Sequence, residues 1–394
     1  MDKPAIKGGR PVREKLLPYG HQWITNDDIL RVVNVLKSDW ITQGPAIDEF
    51  EKNFKQKIGC KNAVAISSGT AALHLAMLGL GIKRGDEVIT TPLTFAATAN
   101  AALYCGAKPV FADIDKETMN VSPNEIKKKI TKKTKAIAPV HFTGLPCDLT
   151  EIYEIAEKHG LRVVEDAAHA LGAKYRGNTI GSKSDVATFS FHPVKHITTG
   201  EGGIVATHDD KLAESVRALR THGIVRDPKY SAEKPWFYEM KWLGFNYRIT
   251  DIQASLGSSQ LKRLDSLVNR RNEIAEKYDT FFKELPEIIR PATGKEVLHA
   301  RHIYVIRLAA EKLSVGRDEI FRALRAENIG VNVHYIPVYW HAYYQQLGYK
   351  KGLCPKAEAA FETMITLPLF PKMSDTDAQD VMNAVEKVVA HYKN

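Results

Sequence analysis

Cysteine is scarce. Cys60, Cys105, Cys147 and Cys354 are the only four in 394 residues, they stand far apart and no two form a C-x-x-C pair, so neither a disulfide framework nor a zinc site is expected, and no metal site of any kind. No stretch approaches the roughly 18 consecutive uncharged apolar residues of a membrane span, which excludes a transmembrane helix. The start, Met1 to Arg10, lacks both an apolar run and a small-residue cleavage site. No secretion signal is expected, and a cytoplasmic location is. Internal repeats and low-complexity tracts are also missing. With 44% apolar and 26% charged residues, the composition is that of a globular chain and excludes disordered and collagen-like classes.

Charge of one sign is in modest excess: 55 Lys and Arg against 46 Asp and Glu leave a net +9. Part of it is concentrated in Lys127, Lys128, Lys129, Lys132, Lys133 and Lys135, which follow Ser122-Pro-Asn-Glu125, the pattern of a capped helix start. No aromatic residues interleave these lysines, so they read as a solvated helix face and not as a nucleic-acid patch.

Short apolar runs alternate with amphipathic stretches between about residues 60 and 210. Ala63–Ile66, Glu87–Ile89, Pro109–Ala112, Ala136–Val140, Arg162–Glu165, Ala187–Phe191 and Gly203–Ala206 are too short for buried helices and predict core strands. The segments between them, such as Ala71–Leu80 and Leu149–His159, have helical spacing. The expected class is therefore α/β, with a large domain built on a mostly parallel mixed sheet. A long helical pattern over residues 251–285 predicts a connecting helix. Beyond it, strand, helix, strand and helix patterns at His302–Leu308, Arg317–Glu327, Val331–Tyr335 and Asp375–Tyr392 predict a smaller C-terminal α/β domain. The expected division is 1–25 draped on the rest, 26–250 the large domain, 251–285 the connecting helix and 286–394 the small domain.

Three clusters carry chemistry. Ser67-Ser-Gly-Thr-Ala-Ala-Leu73 follows a strand and opens a helix; its N–H groups and hydroxyls suit a phosphate, with Gly69 allowing close approach, and equally suit a ligand-free cap. Asp166, in Val163-Val-Glu-Asp-Ala-Ala-His169, ends an apolar strand, where a carboxylate can hold a cationic ring nitrogen or cap the next helix. In Ser190-Phe-His-Pro-Val-Lys195-His-Ile-Thr-Thr-Gly-Glu-Gly-Gly203 one lysine stands in a crowded polar and glycine-rich segment. Partial desolvation disfavours an ammonium there, the condition for Schiff-base chemistry. Asp166, Lys195 and a phosphate cup from Ser67–Thr70 with Ser190 match what pyridoxal 5′-phosphate requires of a protein.

In this order, Ser-Gly-Thr, Glu-Asp-Ala-Ala-His, Ser-Phe-His-Pro-Val-Lys, Gly-Glu-Gly-Gly and Gly244-Phe-Asn246-Tyr-Arg248-Ile-Thr-Asp251-Ile-Gln253 resemble the DegT/DnrJ/EryC1/StrS family of nucleotide-sugar aminotransferases, over essentially the whole chain. The resemblance implies the fold type I architecture of pyridoxal phosphate enzymes. It implies that Lys195 bonds the cofactor aldehyde and shuttles a proton, and that Asp166 pairs with the pyridine nitrogen. His169 would face the ring oxygen side, Phe95 would stack on the ring, and Gly69, Thr70 and Ser190 would hold the phosphate. Asn246 would come from the neighbouring subunit, so that a homodimer shares its active sites.

A finer resemblance is to the aminotransferases of pseudaminic acid biosynthesis, carried by Ala168-His-Ala-Leu-Gly172, Lys195-His-Ile-Thr-Thr199 and Asn332-Val-His-Tyr-Ile-Pro-Val-Tyr339. It implies amination at C4 of a UDP-linked 4-keto-6-deoxy-N-acetylamino sugar, with glutamate giving the amino group and 2-oxoglutarate leaving. Substrate contacts would fall at Tyr19, Asp39, Trp40, Ile41, Thr42, Ser68, Arg248, Asn332, His334, Tyr335 and Tyr344. The aromatic stretch from Tyr335 to Tyr344 also suits plain packing. Relatives acting on other 3-keto or 4-keto sugars, of perosamine or bacillosamine type, share most of these residues, and the leader Pro4–Val12 belongs more to the wider family. A sugar dehydratase of the same fold would carry histidine in place of Lys195. A DNA-binding regulator would need a base-reading element, and none is present.

Overall fold

The computed structural model describes residues 3–226, 233–294 and 296–394. Each of the seven apolar runs forms a strand of one sheet: β1 (Asn62–Ile66), β2 (Glu87–Thr90), β3 (Lys108–Phe111), β4 (Thr134–Ala138), β5 (Arg162–Asp166), β6 (Val186–Ser190) and β7 (Gly203–Thr207). Their spatial order is β1-β7-β6-β5-β4-β2-β3. β7 is antiparallel to both its neighbours, and the remaining pairs are parallel. Two antiparallel steps restore the strand direction, so β1, β6 and β5 all end at the same edge of the sheet.

Side chains alternate between the two faces. Ala63 and Ala65 join Ala187, Phe189, Ile204 and Ala206 in one buried layer. Val64 and Ile66 join Val164, Val186 and Val205 in the other. Cover on both faces is why these strands read as continuous apolar runs. The helix expected over Ala71–Leu80 spans Gly69–Gly79, its start moved forward by the Ser68 cap, whose Oγ accepts the Ala71 N–H at 3.1 Å. The lysine-rich helix Pro123–Lys129 presents Lys127 and Lys128 to solvent.

The C-terminal part has an antiparallel sheet of β8 (Ile288–Ile289), β9 (Tyr304–Leu308) and β10 (Met364–Leu367), in that order. Helices Arg317–Ala326 and Asp375–Tyr392 pack on it around Tyr278, Tyr304, Leu324, Ile365 and Val385. The leader lies on this part: the Glu327 carboxylate accepts the N–H groups of Ala5 (2.7 Å) and Val12 (2.8 Å), and Leu17 pairs with Ile329.

Two expectations are corrected. The connecting helix is two helices, Asp251–Leu261 and Leu264–Phe282, broken where Arg263 (φ −99°, ψ 3°) turns its guanidinium onto Trp23 O (3.0 Å) and Asp28 Oδ2 (2.7 Å). The strand expected over Val331–Tyr335 is a single bridge, Asn332 to Thr366. Asn332 and Thr366 exchange both backbone hydrogen bonds (3.1 and 2.7 Å), the Asn332 side chain turns back to accept the N–H of Val333 (2.8 Å), and the pairing goes no further before Pro337.

Candidate active site

The shared strand edge opens into a cavity of about 430 Å³ lined by residues from β5, β6, the loop after β6, the first turn of helix Gly69–Gly79 and the C-terminal part. This is the end of a parallel sheet where ligands bind.

β5 carries Asp166 into the cavity, only 5% exposed. Its Oδ1 accepts the Ala168 N–H (3.1 Å), a local cap, while Oδ2 accepts the Thr98 hydroxyl (2.7 Å), which lies 2.8 Å from that of Thr94. The carboxylate is thus oriented by two donors and still faces the cavity.

At another corner, β1 ends and helix Gly69–Gly79 begins. Gly69 and Thr70 line the cavity at the first turn, where a helix presents unsatisfied N–H groups and a partial positive charge. Ser190, the last residue of β6, completes the corner. A Cβ on Gly69 would lie 2.8 Å from Ser190 Cβ and 3.1 Å from its Oγ, so only glycine leaves the space between them open.

Lys195 follows Pro193 in a tight turn, its N–H donated to His192 O (2.9 Å). The return of the chain is pinned by Thr198 Oγ1 and Thr199 N, both donating to Phe191 O (3.1 and 3.0 Å). Its Nζ reaches the cavity, 3.3 Å from His302 Nε2. Burial lowers the ammonium pKa to about 8; Asp166 pulls it back up and Arg271 pushes it further down. His169 Nε2 lies 2.9 Å from the Tyr335 hydroxyl. Burial, then the Lys195 charge, holds His169 and His302 well below the ordinary imidazole value and His334 at about 4. These rings are neutral at pH 7.

Of the remaining expected residues, Tyr19, Ser68, Phe95, His169, His334 and Tyr335 line the cavity. Tyr19 is brought in by the leader, where its carbonyl accepts the Leu369 N–H (3.0 Å), and its ring lies 5.3 Å from that of His334. Phe95 is 62% exposed at the rim, 6.2 Å from the Tyr335 ring. Asp39, Trp40, Ile41 and Thr42 are exposed and outside the cavity of their own chain, as is Asn246, while Arg248 is half-buried outside it. Asn332 is outside as well. Tyr344 is 2% exposed, packed against Phe111, with its hydroxyl donated to Asn100 Oδ1 (2.7 Å). The expectation of a substrate contact at Tyr344 is therefore replaced by a packing role.

Three residues at the site were not singled out by the sequence: Thr98, His302 and Arg271. Arg271 is fully buried and donates to the carbonyls of His302 (2.9 Å), Leu369 (2.8 Å) and Val194 (3.3 Å), with no carboxylate partner among the described residues. Burial lowers its pKa to about 9. One signal was available: with Leu264, Leu267, Val268, Ile274 and Tyr278 it occupies the apolar face of its helix. The other two owe their place to tertiary packing alone.

The donor set fits pyridoxal phosphate: a corner kept open by Gly69 at a helix N-terminus for an anion, a buried carboxylate for a pyridinium nitrogen, and an amine of depressed pKa for an aldehyde.

Residues 22–386 match the DegT/DnrJ/EryC1/StrS aminotransferase family. The spore coat polysaccharide biosynthesis protein SpsC of Bacillus subtilis is 45% identical over 381 residues, which cover 96% of this chain and 98% of that protein. Among solved structures, the sugar aminotransferase Spr1654 of Streptococcus pneumoniae in its PMP form superposes with a TM-score of 0.91 at 33% identity, covering 95% of this chain and 99% of that one; a PLP form is also known. Helicobacter pylori PseC, an aminotransferase involved in pseudaminic acid biosynthesis, gives a TM-score of 0.90 at 31% identity over 96% of this chain and 100% of that one. The chain belongs to the DegT/DnrJ/EryC1/StrS family and is a pyridoxal phosphate-dependent sugar aminotransferase.

Proposed function

We propose that the enzyme transfers the amino group of glutamate to C4 of a UDP-linked 4-keto-6-deoxy-N-acetylamino sugar, in a pathway of the pseudaminic acid type. The observation that carries the chemistry is the convergence of Lys195, Asp166 and the Gly69-Thr70-Ser190 corner on one cavity. The likeness to PseC along the whole chain supports the choice of sugar.

Bound pyridoxal phosphate supplies an aldehyde that receives the amino group and a ring that draws electrons from the carbon losing its proton. The Gly69 and Thr70 N–H groups and Ser190 Oγ would hold the phosphate. Asp166, aligned by Thr98 and Ala168, would keep the pyridine nitrogen protonated. Phe95 would pack on the ring, and His169, fixed by Tyr335, would face its oxygen side. Lys195 Nζ would anchor the cofactor at rest. Once freed, its Nζ would carry the proton from the amino-bearing carbon of the donor to the cofactor carbon that takes up the nitrogen, a task suited to an amine with a pKa of about 8. Tyr19, Ser68, His334 and Tyr335 face the space left for the sugar.

Asp39, Trp40, Ile41, Thr42, Asn246 and Arg248 do not line the cavity of their own chain. We assign them to the cavity of a second copy, in a homodimer whose active sites are shared.

The test is incubation with glutamate and a panel of UDP-linked 4-keto, UDP-linked 3-keto and GDP-linked 4-keto sugars, with products identified by mass and NMR. Amination at C4 of the UDP-linked 4-keto sugar is expected. Exclusive turnover of another member of the panel overturns the choice of sugar. Relationship to SpsC favours a polysaccharide precursor as the second reading.

A further inference from the structure

His302 Nε2 lies 3.3 Å from Lys195 Nζ, yet no motif marks this histidine. It stands just ahead of β9, and its backbone is fixed from both sides: its N–H is donated to Thr143 O (2.8 Å), and its carbonyl accepts Arg271 Nη1 (2.9 Å). Arg271 Nη2 also donates to the carbonyl of Val194, the residue before Lys195 (3.3 Å). One buried guanidinium thus ties together the two backbones that carry the amine and the imidazole. The His302 ring packs 4.3 Å from that of His169 and 5.6 Å from that of His196, and its Nδ1 has no hydrogen-bond partner among the described residues.

The chemistry of the pair sets the direction of the bond. An ammonium has donors only, so beside it Nε2 must accept and the imidazole proton sits on Nδ1. The ring is free to accept because burial and the nearby positive groups keep it neutral. Besides His302, the groups facing Lys195 are Asp166 from β5, Arg271 from helix Leu264–Phe282, and the imidazoles of His169, His196 and His334. Asp166 draws the ammonium by charge, with no hydrogen bond to Nζ among the described residues; His302 is within hydrogen-bond reach of Nζ.

We propose that His302 is the positioning residue for Lys195, its Nε2 accepting from Nζ whenever that nitrogen is not bonded to cofactor and holding it where it exchanges its proton. This rests on the reading of Lys195 as the reactive amine.

The test compares wild type, His302→Gln and His302→Leu holoenzymes. Glutamine retains an acceptor and leucine does not. Two readouts are taken: the single-turnover rate with glutamate and with α-deuterated glutamate, and the pH midpoint for acylation of Lys195 in the pyridoxamine phosphate form, read by peptide mass spectrometry. With leucine the rate falls at least about tenfold at unchanged glutamate saturation, the isotope effect grows, and the Lys195 midpoint moves down by about one pH unit, as loss of an acceptor from a buried cation requires. With glutamine all three stay close to wild type. A leucine variant equal to wild type overturns the proposal, and so does an equal loss in both variants with the midpoint unmoved, which marks a packing role. A wild type whose cofactor band responds to no amino donor overturns the reading of Lys195, and this proposal with it.

Discussion

Replacing the reactive amine should make the cofactor-free protein more stable. Lys195 titrates at about 8 in the fold against 10.5 in an open chain, so the folded state disfavours the ammonium. About 2.5 units at 1.36 kcal/mol each make the charged form cost about 3 kcal/mol. The Lys195 side chain lines an open cavity and is only partly buried, which makes this an upper value. Because the folded pKa is the lower one, the cost is full below pH 8, fades between pH 8 and 10.5, and is gone above. Methionine is close to lysine in length and carries no charge, so Lys195→Met is expected to raise the unfolding free energy at pH 7 by about 1–3 kcal/mol. The gain should shrink toward zero by pH 10.5. Urea unfolding of both cofactor-free proteins, at one protomer concentration and at several pH values, measures it. A variant less stable than wild type at pH 7, or a gain that does not change with pH, would refute the reasoning.

Other substitutions separate the remaining parts of the site. Asp166→Asn keeps the shape and an acceptor for Thr98, so unfolding should move by less than about 1 kcal/mol, while turnover falls about 10²- to 10³-fold through loss of the charge opposite the ring nitrogen; near-normal turnover would remove Asp166 from that role. Gly69→Ala pushes a methyl to within 2.8 Å of Ser190 Cβ and should weaken cofactor retention, read by equilibrium dialysis, at a stability cost of about 1–3 kcal/mol. Unchanged retention would mean the phosphate lies elsewhere. Lys195→Ala and Asn246→Asp, each inactive, should complement when their subunits are mixed, with up to half of wild-type activity per heterodimer; no recovery from verified heterodimers would show that each chain serves its own site.

What could be read before folding followed from locality. Strands buried on both faces announce themselves as apolar runs, which is why all seven strands of the large sheet were legible, and Asp166 could be seen to end its own. Serine before glycine at a helix start marked the corner at Gly69 for the same reason. Residues whose importance lies in a long-range partner were invisible. Thr98 matters because its hydroxyl meets a carboxylate 68 positions later, and His302 because Arg271 draws its backbone toward the loop of Lys195. The single helix expected over 251–285 failed because apolar periodicity does not report the pull of Asp28 on Arg263. The strand expected over Val331–Tyr335 failed because alternation does not report how far a partner strand runs alongside: the pairing stops at Asn332 and Thr366. Tyr344 shows the opposite limit: an aromatic residue suited to stacking on a ligand is equally suited to the core, and its bond to Asn100 decides between them.

The chemistry of the site depends above all on which nitrogen holds the cofactor. Borohydride reduction of the holoenzyme, followed by proteolysis and mass spectrometry, fixes the cofactor to whichever lysine carries it. One modified peptide is expected, containing Lys195, with loss of the visible absorption band in the same step. A label on any other of the chain's lysines, or a bleached protein with no covalent label, would contradict this.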